Sequence, residues 1–343
     1  MKGLAFLLIL LLTACGNPPP PGRTVLTYAT PYAPSHPFSR ADQAWIRFVE
    51  EKSGGTLMIK PVWSGALLSS DMSMEELRHG VADIGLITPI YVRGGTHLIR
   101  IQSGFYSGAT TVESQVALYR CIAKASPEIG QELAGLKVLA VQGGTLPGIV
   151  TRDRPVNSLA DIKGLRLRAP TELLSVLGAL GADPVNMPMG EVYSALSKGV
   201  IDGVVAPADT FRSLHFTEVA RHFNTLAVPR GAYPARAMGL KRWNTLSEAQ
   251  RAILEQGIPV WEAALAQEVR AAWQKGYDDA VKGRIAMTAV SPEDQERFDA
   301  LYLRDAERNA RALSRFGIDG MRAFRAARAA ISDGKVRCQG EGA

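Results

Sequence analysis

The chain has 343 residues, 46% of them hydrophobic and 21% charged, with a formal net charge of +6. That length accommodates two ordinary domains with sizeable cores, and that composition excludes an intrinsically disordered chain. The positive balance is too mild and too dispersed to imply nucleic acid as a partner. No internal apolar stretch reaches the roughly 18 residues a membrane-spanning helix needs, which excludes a polytopic membrane protein.

The first residues read as an address. Met1-Lys2-Gly3 is a short basic start, and the apolar run Leu4 to Leu12 fits a secretory signal, being too short to span a bilayer. Leu12-Thr13-Ala14-Cys15 looks like the lipobox of bacterial lipoproteins, in which the cysteine sulfur carries the lipid. The expectation is a signal peptide over 1–14, lipidation at Cys15, and an extended Pro-rich tether over 15–23. Loss of residues 1–14 removes one lysine and leaves a charge of about +5. Cys121 and Cys338 then remain as thiols; in an oxidising compartment they could form a disulfide, and spacing alone leaves that open.

Beyond the tether, strands and helices alternate. Val25 to Thr30 reads as a strand, followed by a Pro- and Ser-rich loop over 31–37 and a helix capped by Ser39, with Trp45, Phe48 and Val49 on one face. Thr56 to Trp63 reads as a strand, Asp71 to His79 as a short helix and Ala82 to Thr88 as a buried strand. Val112 to Ala125 reads as a helix and Leu136 to Gln142 as a strand. A second unit begins near Gly143-Gly144, with Gly143 to Gly148 read as a flexible crossover. There the strands are Leu165 to Ala169, Pro184 to Met187 and Asp202 to Ala206, alternating with helices over Glu172 to Leu180 and Glu191 to Lys198. Ser247 to Gly283 predicts a long helix kinked near Gly257 and Pro259, and Phe298 to Ala330 is helical again. Arg304, Arg308, Arg311 and Arg315 form a basic stripe there, read as a solvated helix face. Regular alternation of this kind argues for an α/β fold.

Catalytic constellations are absent from the pattern. There is no HExxH, CxxC, GxSxG or Walker loop, and the five histidines never fall at metal-ligand spacing. No enzyme activity, cofactor or metal is expected.

Three motifs in order carry the functional signal: Asp161-Ile162-Lys163-Gly164-Leu165-Arg166-Leu167-Arg168-Ala169-Pro170, then Leu180-Gly181-Ala182-Asp183-Pro184-Val185, then Glu191-Val192-Tyr193-Ser194-Ala195-Leu196 running into Gly199-Val200-Ile201-Asp202-Gly203. Together with Gly54 to Val62 and Leu77 to Gly85, they resemble the solute-binding proteins of TRAP transporters, the DctP-type family. The resemblance extends over nearly the whole chain beyond the tether. It implies a two-lobed, periplasmic-binding-protein-like α/β receptor with a long helix connecting the lobes. Such a receptor would be a periplasmic lipoprotein that closes around a small organic acid and delivers it to TRAP membrane permease subunits. The lobes are expected over 24–142 plus 232–272, and over 143–231 plus 273–343 with the C-terminal helices.

The family's hallmark arginine falls on Arg168. Guanidinium is planar, permanently charged and offers paired N–H donors that match a carboxylate. Arg166 shares its strand face by periodicity, so the motif alone favours Arg168. A second family arginine falls on Gly148 here, and a family asparagine falls within Val204-Val205-Ala206-Pro207, with Ala206 the candidate contact. Both departures remove polar partners and make ligands with a second acidic or polyhydroxylated end less suitable. Met189 stands at an often aromatic place and Thr88 at an often polar one, while Tyr32, Tyr91 and Tyr233 are candidate hydroxyl donors or stacking walls. The expected pocket is one carboxylate clamp with apolar walls, suited to a monocarboxylate such as a 2-oxo, 2-hydroxy or aromatic acid. A sensory receptor would share these lobes and signal to a membrane partner instead. An extracytoplasmic enzyme would need a nucleophile or metal set that is not visible.

Overall fold

The computed structural model describes residues 22–92, 94–332 and 335–338. The expected leader, Cys15 and most of the tether lie outside these residues. Strands β1 (Thr24–Ala29), β2 (Leu57–Val62), β3 (Ile84–Leu86) and β4 (Leu136–Gln142) supply most of the first sheet. Strands β5 (Gly148–Thr151), β6 (Arg166–Arg168), β7 (Asp183–Val185), β8 (Gly203–Ala206) and β9 (His222–Asn224) belong to the second. The chain then returns with β10 (Tyr233–Gly239) to the first sheet and with β11 (Ala286–Thr288) to the second. The orders are β2-β1-β3-β10-β4 and β11-β9-β5-β8-β6-β7. β1 pairs parallel with β2 and β3, while β10 runs antiparallel between β3 and β4. In the second sheet β6 pairs parallel with β7 and β8, and β5 runs antiparallel to β8 and β9.

Each sheet forms one lobe, and the chain passes between them at the β4–β5 and β9–β10 connections. The segment Gly143 to Gly148, expected as a crossover only, ends in the first residue of β5, which pairs on both sides. A third connection is the helix Glu248–Lys282, whose 35 residues reach about 50 Å at 1.5 Å per residue. Ser247 caps it through a capping box with Gln250, and Pro259 lies in its interior without ending it. Leu254, Trp261, Leu265 and Val269 of this helix join the first core. Further along, Ala280 joins the second lobe.

The helix expected to be capped by Ser39 begins earlier, at Pro37, with His36 as its cap. Proline suits the first helical position because its missing N–H has no intrahelical acceptor there. The His36 Nδ1 accepts the Phe38 N–H at 3.2 Å, and Ser39 is buried in the first turn. This helix packs on the long one, against a buried ion pair in which Arg236 Nε donates to Asp42 Oδ1 at 2.7 Å and Trp261 Nε1 donates to the same oxygen at 2.8 Å.

The C-terminal helices divide otherwise than the expected grouping of 273–343 with the second lobe. Phe298 and Tyr302 of the helix Pro292–Ala312 sit in the second core, while Ala306 and Ala310 sit in the first. A 21-residue helix of about 30 Å is long enough to cross from one lobe to the other. The helix Gly320–Ala330 then packs wholly on the first lobe through Ala323, Phe324 and Ala327. Cys121 and Cys338 are joined by a disulfide that pins the end of the chain to the helix Val112–Ala125. The arginine stripe is largely paired on its own surface, Arg308 with Asp305 and Arg311 with Glu307, and Arg315 lies over the Phe316 ring.

Candidate functional site

A cleft between the lobes leads from a wide mouth to a narrow inner chamber. The mouth, about 820 Å³, lies between the loop around Pro31 to Arg40 of the first lobe and the segment from Asp209 to Glu218 of the second. The chamber is about 120 Å³ and shares Tyr32, His36, Tyr91, Met189 and Asp209 with the mouth.

Arg168 reaches the chamber from the end of β6, whose pairing with both β7 and β8 fixes the backbone that carries it. Its side chain is held from two directions. Nε donates to the Met187 carbonyl at 2.9 Å, and Nη2 donates to the Tyr91 hydroxyl at 2.7 Å. The first contact is within the second lobe and the other crosses the cleft to the first. Nη1 makes no hydrogen bond to a described residue, and no carboxylate lies within 4.0 Å of the guanidinium among them. The residue is only 3% exposed. Arg166, two positions earlier, is exposed and pairs with Asp183 at 3.3 Å. The two arginines share a strand face but sit at different depths, so only Arg168 lines the chamber.

Tyr32, Tyr91, Met189 and Tyr233 also line the chamber. Tyr32 stacks on His36 with ring centroids 4.0 Å apart, and the Tyr233 hydroxyl accepts from Gln142 Nε2 at 3.0 Å. Burial raises the pKa of both tyrosines, which keeps them neutral hydrogen-bonding walls. Thr88 lies at the mouth rather than in the chamber, and its hydroxyl is already given to the Ser70 carbonyl. Ala206 lines neither space. It is fully buried in the core of the second lobe, and strand alternation turns its neighbours Val205 and Pro207 to the chamber instead.

Four polar residues join the site that the motifs do not announce. Arg230, in the loop after β9, packs against the Gly144 backbone and has no ion pair among the described residues; a Cβ at Gly144 would stand 2.5 Å from its Cζ. Asp209 follows β8, and burial pushes its carboxyl up to about 6 against the opposing pull of Arg230 and the Ser213 hydroxyl. His36 is pushed down to about 3 by burial, with Arg40 and Arg236 adding to the effect, so it stays neutral. Glu172 lies four residues after Arg168, in the short turn Thr171–Leu173, is 6% exposed, and has its carboxyl raised by burial. Of these, only Glu172 carries a readable signal, a lone charge in an apolar stretch beside the hallmark arginine. The others are gathered by tertiary folding. A buried, pre-aimed guanidinium with free donors, between neutral aromatic walls, can bind a planar anion bidentately.

Comparison with known proteins identifies the family and the fold. The family model for bacterial extracellular solute-binding protein family 7, DctP, matches residues 28–309. A solute-binding protein of Chromohalobacter salexigens is 27% identical over 283 residues, covering 78% of this chain and 80% of that protein. The fold is similar to that of a TRAP solute-binding protein from Rhodoferax ferrireducens in complex with copurified benzoate. The TM-score is 0.81 at 24% identity, covering 91% of this chain and 98% of that one. It is also similar to a TRAP periplasmic solute-binding protein from Bordetella bronchiseptica with bound mandelate, with a TM-score of 0.78 at 22% identity over 90% of this chain and 98% of that one.

Proposed function

This chain belongs to the bacterial extracellular solute-binding protein family 7, DctP, and we propose that it captures a small monocarboxylate, with an aromatic or hydroxy acid the best fit. Arg168 would clamp the carboxylate while the lobes close around the rest of the molecule. The observation that carries this reading is a guanidinium 3% exposed, with no carboxylate of the described residues within 4.0 Å, facing a chamber of about 120 Å³. A buried charge is costly unless paired, so an anionic ligand supplies the missing partner. The chamber volume is of the order of the roughly 150 Å³ apolar cavity that accommodates benzene, which supports a single ring or a short chain. The benzoate and mandelate bound by structurally similar proteins are acids of that size.

Closure follows from the placement of the groups. The clamp stands on the second lobe, and Tyr32, Tyr91 and Tyr233 come from the first. A ligand that touches both sets binds the closed arrangement better than the open one and shifts the population toward it. Delivery of the closed form to a TRAP permease, and tethering to the membrane through Cys15, complete the reading. The experiment is a thermal-shift screen of the body from Arg23 onward against organic acids and their amides. A ligand at a hundred times its dissociation constant adds about 2.7 kcal/mol of stability. Monocarboxylates should raise the midpoint and their amides should not. A response to neutral or cationic solutes alone would overturn the carboxylate mechanism.

A further inference from the structure

Arg230 enters the chamber from the connection between β9 and β10 and lines it together with Arg168. The chain builds a seat for it. A Cβ at Gly144 would stand 2.5 Å from the Arg230 Cζ, 2.6 Å from Nη1 and 2.9 Å from Nε, so the guanidinium occupies the space that any larger residue would fill. Gly144 has no positive φ that would call for glycine on backbone grounds. The buried Gln115 fixes this backbone: its Oε1 accepts the Gly144 N–H at 2.8 Å, and its Nε2 donates to the Gly144 carbonyl at 3.0 Å.

The seat holds the guanidinium without using its donors. None of the Arg230 nitrogens hydrogen-bonds to a described residue, and none is sealed from solvent. Asp209, also at the chamber, acts on Arg230 through charge without forming an ion pair with it, and Tyr32 and Tyr233 of the first lobe lie within reach of the same charge. Burial raises the Asp209 pKa to about 6, so at neutral pH its carboxylate offsets the guanidinium charge and leaves the N–H groups unpaired. Guanidinium is a donor only. What it lacks is an acceptor, not a second charge.

We propose that Arg230 is a specificity-determining residue that selects monocarboxylates carrying a neutral acceptor oxygen, a carbonyl or hydroxyl, apart from the carboxylate. This rests on the monocarboxylate reading above, with Arg168 holding the carboxylate and Arg230 the second oxygen. A second carboxylate suits the place less well, because it would add a like charge beside Asp209.

The test is titration calorimetry at neutral pH with two series of acids. One is pentanoate, 4-oxopentanoate and pentanedioate; the other is benzoate, 3-hydroxybenzoate and benzene-1,3-dicarboxylate. In at least one series wild type should bind the oxo or hydroxy acid about tenfold more tightly than its parent, the scale of a hydrogen bond to a charged group, and more tightly than the dicarboxylate. Arg230→Met keeps the aliphatic stem and removes the donors. The readout is the ratio of the two affinities within each protein, so a general weakening of acid binding by the variant cancels. That ratio should fall to about threefold or less. If wild type binds both parents as tightly as their oxygen-bearing partners, if a dicarboxylate binds most tightly in both series, or if Arg230→Met keeps the ratio, the proposal is wrong. If none of the acids binds wild type, the monocarboxylate reading itself has failed and this one falls with it. Should Arg230→Met not fold, or bind too weakly to measure, a crystal structure of wild type with the tighter oxygen-bearing acid decides. The second oxygen belongs within about 2.7–3.2 Å of an Arg230 nitrogen, and an oxygen placed elsewhere refutes the assignment.

Discussion

Replacing Gly276 by alanine should destabilise the protein, against the sign that helix propensity alone would give. Gly276 lies inside the helix Glu248–Lys282, where alanine ordinarily gains about 1 kcal/mol over glycine. Here a Cβ would stand 2.2 Å from the Ala208 carbonyl oxygen and 2.6 Å from the Asp209 Cα. Both contacts are backbone, so no side chain can rotate away, and the helix or the loop must retreat by about 1 Å to reach ordinary van der Waals separation. Overpacking of this kind costs about 1–3 kcal/mol, and a rigid backbone contact belongs at the upper end. The net loss is then about 2 kcal/mol after the propensity gain is subtracted. Gly178 provides the control. It lies in the helix Leu174–Ala179 with nothing within 4 Å of where a Cβ would stand, and Gly178→Ala should stabilise by about 0.5–1 kcal/mol. Urea unfolding followed by tryptophan fluorescence reads both. The reasoning is refuted if Gly276→Ala unfolds at or above the wild-type midpoint. The retreat also displaces Asp209 at the cleft, so the same variant should bind its acid more weakly.

His36 and the disulfide give two further tests. The folded pKa of His36 is about 3, below the unfolded value of about 6.5, so the unfolded chain binds more protons between these limits. Its contribution is complete above about pH 6.5 and declines as pH falls, by about 2–3 kcal/mol on reaching pH 4.5. Asparagine keeps a capping acceptor without titrating but gives up the stacking on Tyr32, so the urea midpoint of His36→Asn relative to wild type should rise as pH falls from 7.5 to 4.5; parallel profiles would contradict this. Cys121 and Cys338 close a loop of 217 residues, for which chain entropy sets a ceiling of about 5 kcal/mol. Cys338→Ser should lower the thermal midpoint, and reductant should bring wild type to the same value. An unchanged midpoint in both would show that the bond is not formed.

Local pattern decided what was legible in advance. The helix Val112–Ala125 and β4 have the expected bounds because apolar periodicity fills both, and Thr111 and Ser114 form a capping box at the helix start. β5 was hidden because a four-residue strand starting on glycine shows no period, and its partners β8 and β9 lie far along the chain. β10 was hidden because every residue of Tyr233–Gly239 is buried, which erases alternation. Within the site, Arg168 could be read because a motif surrounds it. Arg230 and Asp209 could not, since only the meeting of the two lobes brings their loops to one chamber. Ala206 missed by a single residue, which on a strand is the difference between facing the chamber and facing the core.

The most direct measurement of the central claim is titration calorimetry of Arg168→Ala against wild type, using the acid that shifts the thermal midpoint most and its amide. The account predicts that wild type binds the acid and not the amide. The variant should lose about 2–5 kcal/mol, thirty-fold to several thousand-fold in affinity, because one partner of a buried charge pair is gone. A change of less than about threefold, or equal binding of acid and amide by wild type, would contradict it.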